Sequence, residues 1–143
     1  VNKLEAQTIK CKERVGKELK ERIKDIRKLW RLYINGDEDG DPDLGTFNEY
    51  GLSFDYVAPN TFKKQRKGYF RYQLSLGGPS DEFRFYTNPD FSVYKIEYWF
   101  LDWFDGAKII LKGGYERLLT KIFEDFKDCG IIVQNEYEKA SEE

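Results

Sequence analysis

Asp37, Asp39, Asp41 and Asp43 alternate through the stretch DEDGDPDLG, a spacing at which carboxylates on one turning loop can converge on a hard cation. Counted as an EF-hand-type loop from Asn35, Asp37 stands at position 3, Asp39 at 5, Gly40 at 6 and Asp43 at 9. Thr46 falls at position 12, where a bidentate Glu belongs, and the following GLSFDY alternates like a strand instead of continuing as a helix. A solvated acidic turn accounts for the same residues. Metal occupancy is left open, with these four aspartates as the ligand set if a cation binds, and no cofactor is expected.

A second constellation is cationic. Lys63, Lys64, Arg66, Lys67 and Arg71 interleave with aromatics in KKQRKGYFRYQ, a pattern suited to phosphate contact plus base stacking. A charged hairpin loop explains the run equally, no RNP-like segment accompanies it, and the chain as a whole carries a formal charge of -2. Other carboxylates give weaker patterns. Asp90 with Asp125 and Lys127 matches the acidic-pair-plus-lysine composition of metal-dependent nucleases, and Asp102 with Asp105 could form a glycosidase-like pair, although a strand end and a turn explain the latter. Gly113-Gly114 reads as an anion cradle or as an ordinary helix entry. The chain has no histidine, which removes His-based triads, His general acid–base chemistry and the commonest zinc ligand.

The elements that must position these residues follow from apolar periodicity. Leu4, Cys11, Val15, Leu19, Ile23, Ile26, Trp30 and Tyr33 recur at spacings of three and four or their sums, which predicts a long helix over 2–33 that stops at Asn35-Gly36. Alternation then predicts strands over 51–58, over 68–76 with Phe70, Tyr72, Leu74 and Leu76 on one face, and over 82–87 with Phe83 and Phe85 inward. The aromatic stretch SVYKIEYWFLDWFDG, 92–106, reads as one long central strand, and AKIILK after it is ambiguous between a fifth short strand and the lead-in to a helix. Leu118, Leu119, Ile122, Phe123 and Phe126 mark a second helix over 115–128. The expected fold is α+β, in the order αββββα: a four-stranded antiparallel meander sheet with the long N-terminal helix and the C-terminal helix packed on one face. One domain over 1–143 is expected, with 1–10 and 134–143 frayed or disordered.

Cys11 and Cys129 are too few for a disulfide framework and read as reduced thiols, and no segment approaches the roughly 18 apolar residues of a membrane span. A cytoplasmic protein without membrane contact is expected.

If Phe54, Tyr72, Phe85 and Ile96 face the helices, the opposite face carries Asp55, Arg71, Gln73, Arg84, Lys95 and Glu97, extended at the same parity by Trp99 and Trp103. Cross-strand charge pairing accounts for part of such a face. Tryptophans beside arginines have the composition of a binding hot spot, and cover by the tail or by a second copy in a homodimer accounts for them as well. The function expected is a small non-enzymatic module that binds another protein through Asp37, Asp39, Asp41, Asp43, Arg71, Arg84, Trp99 and Trp103. In character, though by no motif, the chain is compatible with the accessory and counter-defence inhibitor proteins of phages and plasmids. The alternatives are a nucleic-acid-binding protein using the basic helix and Lys63, Lys64, Arg66, Lys67 and Arg71, and a metal-dependent enzyme built on the acidic residues.

Overall fold

The computed structural model describes residues 10–131. The first helix, α1, spans Cys11–Ile34 and buries Cys11, Val15, Leu19, Ile23, Ile26 and Leu29, the stripe that a 3.6-residue period puts on one side. It ends at Asn35, whose N–H bonds the Arg31 carbonyl, and Gly36 at φ 78° leads the chain away. A short helix, α2 (Phe47–Tyr50), is entered through a capping box between Thr46 and Glu49 and seats Phe47 in the core. Five strands follow: β1 (Ser53–Val57), β2 (Tyr69–Ser75), β3 (Ser80–Thr87), β4 (Val93–Asp102) and β5 (Asp105–Ile110). Each pairs antiparallel with its neighbours in chain order. The last helix, α3, spans Gly113–Asp128. The expectations for 1–9 and 134–143 lie outside the described residues.

The sheet therefore has five strands and not four. The long aromatic stretch breaks at Trp103-Phe104, and AKIILK returns along β4 in a register running from Asp102↔Asp105 to Glu97↔Ile110. Trp103 opens this two-residue connection at φ 56°, a conformation that hairpin turns normally assign to Gly, Asn or Asp. With no turn residue at that point, alternation alone runs straight through the bend.

The central helix-facing row is aromatic and apolar across all five strands: Phe54↔Tyr72↔Phe83↔Tyr98↔Ile109. On that face α3 sets Phe123 and Phe126 against the rings of Phe54, Phe70, Tyr72 and Phe85, over β1 to β3. Next to it α1 lies over β3 to β5, with Arg14 above the Phe100 ring and Arg22 bonded to Asp81. Both helices thus cover one face and leave the other bare.

Two local departures come from the end of β2. Leu76, expected inward, lies past the strand and is 74% exposed. A bulge between Gln73 and Ser75 swings the Ser75 hydroxyl to Asp81, which is buried on the helix side. Asp81 also accepts two bonds from Arg22, at 2.7 and 3.0 Å, and one from the Tyr98 hydroxyl at 2.7 Å. A carboxylate out of water needs that many donors. Both cysteines are free, Cys11 buried and Cys129 exposed. Among the described residues no helix is long and apolar enough to cross a membrane.

Candidate functional site

The bare face of the sheet is built from cross-strand rows of charged and aromatic residues, one of them Asp55↔Arg71↔Arg84↔Glu97. Arg71 forks onto Asp55, with bonds of 3.0 and 2.7 Å that hold its guanidinium charged. Arg84 donates its Nε to Glu82 Oε2 at 2.7 Å, and its guanidinium carbon lies 4.6 Å from the Tyr69 ring centre and 4.0 Å from that of Trp99. Glu97 is 1% exposed and accepts from Trp99 Nε1 at 3.0 Å, Lys108 Nζ at 2.9 Å and the Tyr86 hydroxyl at 2.9 Å. Burial pushes its carboxyl up, but those three hydrogen bonds outweigh burial and hold it below the usual glutamate range.

The loop between β1 and β2 folds over one end of this face. Gln65 shapes it, donating to the Ala58 and Lys67 carbonyls and accepting from the Phe62 N–H. Between loop and sheet lies a cleft of about 500 Å³. Lys63, Lys64, Arg66 and Lys67 reach it from the loop, and Arg84, Lys95 and Lys108 from the strands, so seven cationic side chains face a single carboxylate, Glu97. Tyr69, Tyr86 and Trp99 supply its aromatic lining. The Tyr69 hydroxyl is buried and has no hydrogen-bond partner among the described residues. Burial also raises its pKa, so the phenol stays protonated and can act as a donor.

A second region lies at the opposite end of the strands. The register places the start of β1, the β2–β3 turn and the β4–β5 turn together at that end. Trp103 is 87% exposed and Phe104 fully exposed, with Leu76 and Leu52 also in solvent. A Cβ placed on Gly78, which precedes the cis Pro79, would come within 3.9 Å of Asp102, so the two turns are neighbours. The base of the β4–β5 hairpin is braced against α1: Arg14 donates to Asp102 at 2.9 Å, and the Cys11 N–H donates to Asp105 Oδ2 at 2.8 Å. Lys10 offers α1 no side-chain cap, so a carboxylate from the sheet serves the helix terminus instead.

The aspartates of the acidic loop belong to neither region. Asp41 pairs with Lys28 and accepts the N–H groups of Asp43 and Leu44, which hold its carboxyl below the usual range. Asp37 accepts the Asp39 N–H. These are bonds that shape a turn on the helix side of the sheet, beside a pocket of about 390 Å³ floored by Leu29, Tyr33 and Phe47. Among the described residues no three Cys, Asp or Glu side chains gather as a cation site. Asp90 caps Ser92, and Asp125 accepts from the Tyr33 hydroxyl, whose pKa burial and that bond push up to about 12.

The residues expected to form one surface therefore divide among three places. Trp99 and Trp103 share a parity, but four residues of strand separate them by about 13 Å, and the positive φ of Trp103 carries it off the face. Lys63, Lys64, Arg66 and Lys67 do converge, while Arg71, on β2 two residues past Tyr69, is tied to Asp55 and does not line the cleft. Sequence reasoning passed over Phe104, Tyr69, Tyr86 and Lys108. The alternation of β2 and β3 signals the two tyrosines, which sit beside the inward Phe70 and Phe85; Phe104 and Lys108 become visible only with the fifth strand. No protein-family model, curated protein or solved structure matches the chain, so the functional reading rests on this geometry.

Proposed function

We propose that the chain is a non-enzymatic protein-binding module whose contact is the apolar end of the sheet, centred on Trp103 and Phe104. The observation that carries this reading is the pair of large aromatics standing in solvent on a hairpin that is itself rigidly braced. Burying each in a partner is worth on the order of 1.5–3 kcal/mol, and a fixed backbone keeps the ordering cost of that contact low. Leu76, after β2, and Leu52, before β1, are also exposed at this end of the strands and add apolar area away from the hairpin itself. A left-handed tryptophan costs about 1 kcal/mol in the free protein, the kind of local strain that collects at functional positions. The hairpin's flanks are carboxylates, Asp102 and Asp105, which suit a protein surface better than anionic lipid headgroups. The carboxylates best placed for chemistry, Asp81, Glu82 and Glu97, are already engaged by cations and hydroxyls of the fold, which favours binding over catalysis.

The test is quantitative capture from nuclease-treated host lysate with the wild-type chain and the Trp103→Ala/Phe104→Ala double variant. The expected outcome is one protein retained by the wild type and reduced at least a hundredfold with the variant, at an unchanged melting temperature. Equal retention by both baits would refute the site. Sedimentation that shows a dimer only for the wild type would identify the partner as a second copy.

A further inference from the structure

We propose that the basic cleft under the β1–β2 loop is a binding site for a multiply charged phosphate group, such as a phosphomonoester or a diphosphate, with the Tyr69 hydroxyl donating to it and Arg84 as its charged anchor. This site is separate from the hairpin tip and does not depend on the reading given to that tip.

The first support is the unmet hydroxyl. Tyr69 is 1% exposed, and its OH is the single buried side-chain polar atom without a partner among the described residues. Buried polar groups are nearly always paired, and Tyr69 is a lining residue of the cleft, so its unpaired, covered hydroxyl points to an acceptor that arrives with a ligand as the side chains over it shift. The second support is charge. Seven cations around one opening, in a chain of net charge -2, is a local concentration that a dianion would relieve. Of the seven, Lys108 and Lys95 pair with Glu97 at 2.9 and 3.8 Å and Arg84 pairs with Glu82, so the four loop cations are the ones without an ion pair among the described residues.

Arg84 is prepared for the task. Glu82 fixes its Nε, the rings of Tyr69 and Trp99 hold its plane, and its two Nη groups have no hydrogen-bond acceptor among the described residues. A guanidinium held in place before binding loses little entropy when it meets phosphate. The same packing decides between phosphates and bases. Arg84 lies over the Tyr69 and Trp99 rings, and Lys95 lies 4.4 Å from the centre of the Tyr86 ring, so incoming bases find these ring faces occupied. A volume of about 500 Å³ suits a small phosphorylated ligand.

The experiment is calorimetric titration of the full chain with inorganic pyrophosphate at about 20 mM salt, with a single-stranded oligonucleotide of about twelve residues as a parallel arm. Saturable binding of one pyrophosphate per chain is expected. Tyr69→Phe should weaken it about tenfold, while the melting temperature of the ligand-free variant rises by about 2 °C because an unsatisfied hydroxyl has gone. The Lys67→Gln/Lys95→Gln variant, changed at an exposed and a partly exposed position, should weaken binding several-fold, with its melting temperature as the control for folding. An oligonucleotide that binds and is displaced by pyrophosphate would place a nucleic-acid phosphate in the same site. No pyrophosphate binding at low salt, oligonucleotide binding that pyrophosphate does not displace, or affinities unchanged in both variants would overturn the assignment.

Discussion

Trp99 and Trp103 sit four residues apart on β4 and the turn that ends it, and their surroundings are opposite. Trp99 is half-buried, its N–H given to Glu97 and its ring face covered by Arg84. Trp103 stands in solvent on a backbone bent into the left-handed region, with Phe104 beside it. The first belongs to a surface whose groups are nearly all engaged, and what that surface offers a ligand is charge and one idle hydroxyl. The second offers apolar area and almost nothing polar. Residue type alone does not make a tryptophan a docking residue; what matters is whether the fold has already given its ring and its N–H to something else.

The contrast predicts different responses to salt, and this is the largest effect expected. Between about 50 and about 300 mM salt, pyrophosphate binding in the cleft should fall at least tenfold, whereas capture of the protein partner by the tip should change less than twofold. Titrations at four ionic strengths would measure both, and parallel slopes would erase the distinction.

Glu97→Gln should separate the regions by stability. It weakens the acceptor shared by Trp99, Tyr86 and Lys108, so a loss of about 1–3 kcal/mol in urea unfolding is expected, with partner capture by the tip unchanged. The Glu97 carboxyl titrates below its ordinary value of 4.5 in the folded protein, so its stabilisation is complete above that value and is lost as pH falls through the folded pKa. The difference in stability between wild type and variant should therefore shrink as pH falls below 4.5, measured by unfolding at each pH.

Trp103→Gly has the smallest effect on stability, and of the opposite sign. Releasing a side chain from φ 56° should stabilise the free protein by about 1 kcal/mol while abolishing capture. A destabilised glycine variant would mean that the indole packs on the fold and is not held out for a partner.

The sequence was most informative where local preference and tertiary position agree. The stripe from Cys11 to Ile26, the alternation of β2 and β3, and the Leu119–Phe123–Phe126 face of α3 all lie where their periods place them. The α+β character with an antiparallel sheet and a helix at each end followed from them. What escaped notice breaks a local rule. The β4–β5 hairpin has Trp where turn chemistry calls for Gly, so one long strand was expected in place of two. Asp81 is a carboxylate on the inner face, legible only once Arg22 is known to lie 59 residues away in sequence and beside it in space. The loop cations were visible as a run, but the residues that make a cleft of them, Tyr69, Tyr86 and Lys108, come from three strands whose spacing only the sheet supplies.

The single hydrogen bond from Cys11 to Asp105 closes a loop of 94 residues, whereas every strand pairs only with its neighbour in the chain. In kinetic terms the meander can zip up from hairpins, each closing a short loop, while docking of α1 on β4 and β5 awaits the whole sheet. By that argument the end of the molecule that carries the exposed aromatics is expected to lock last, so the proposed contact surface reaches its final form once α1 has docked.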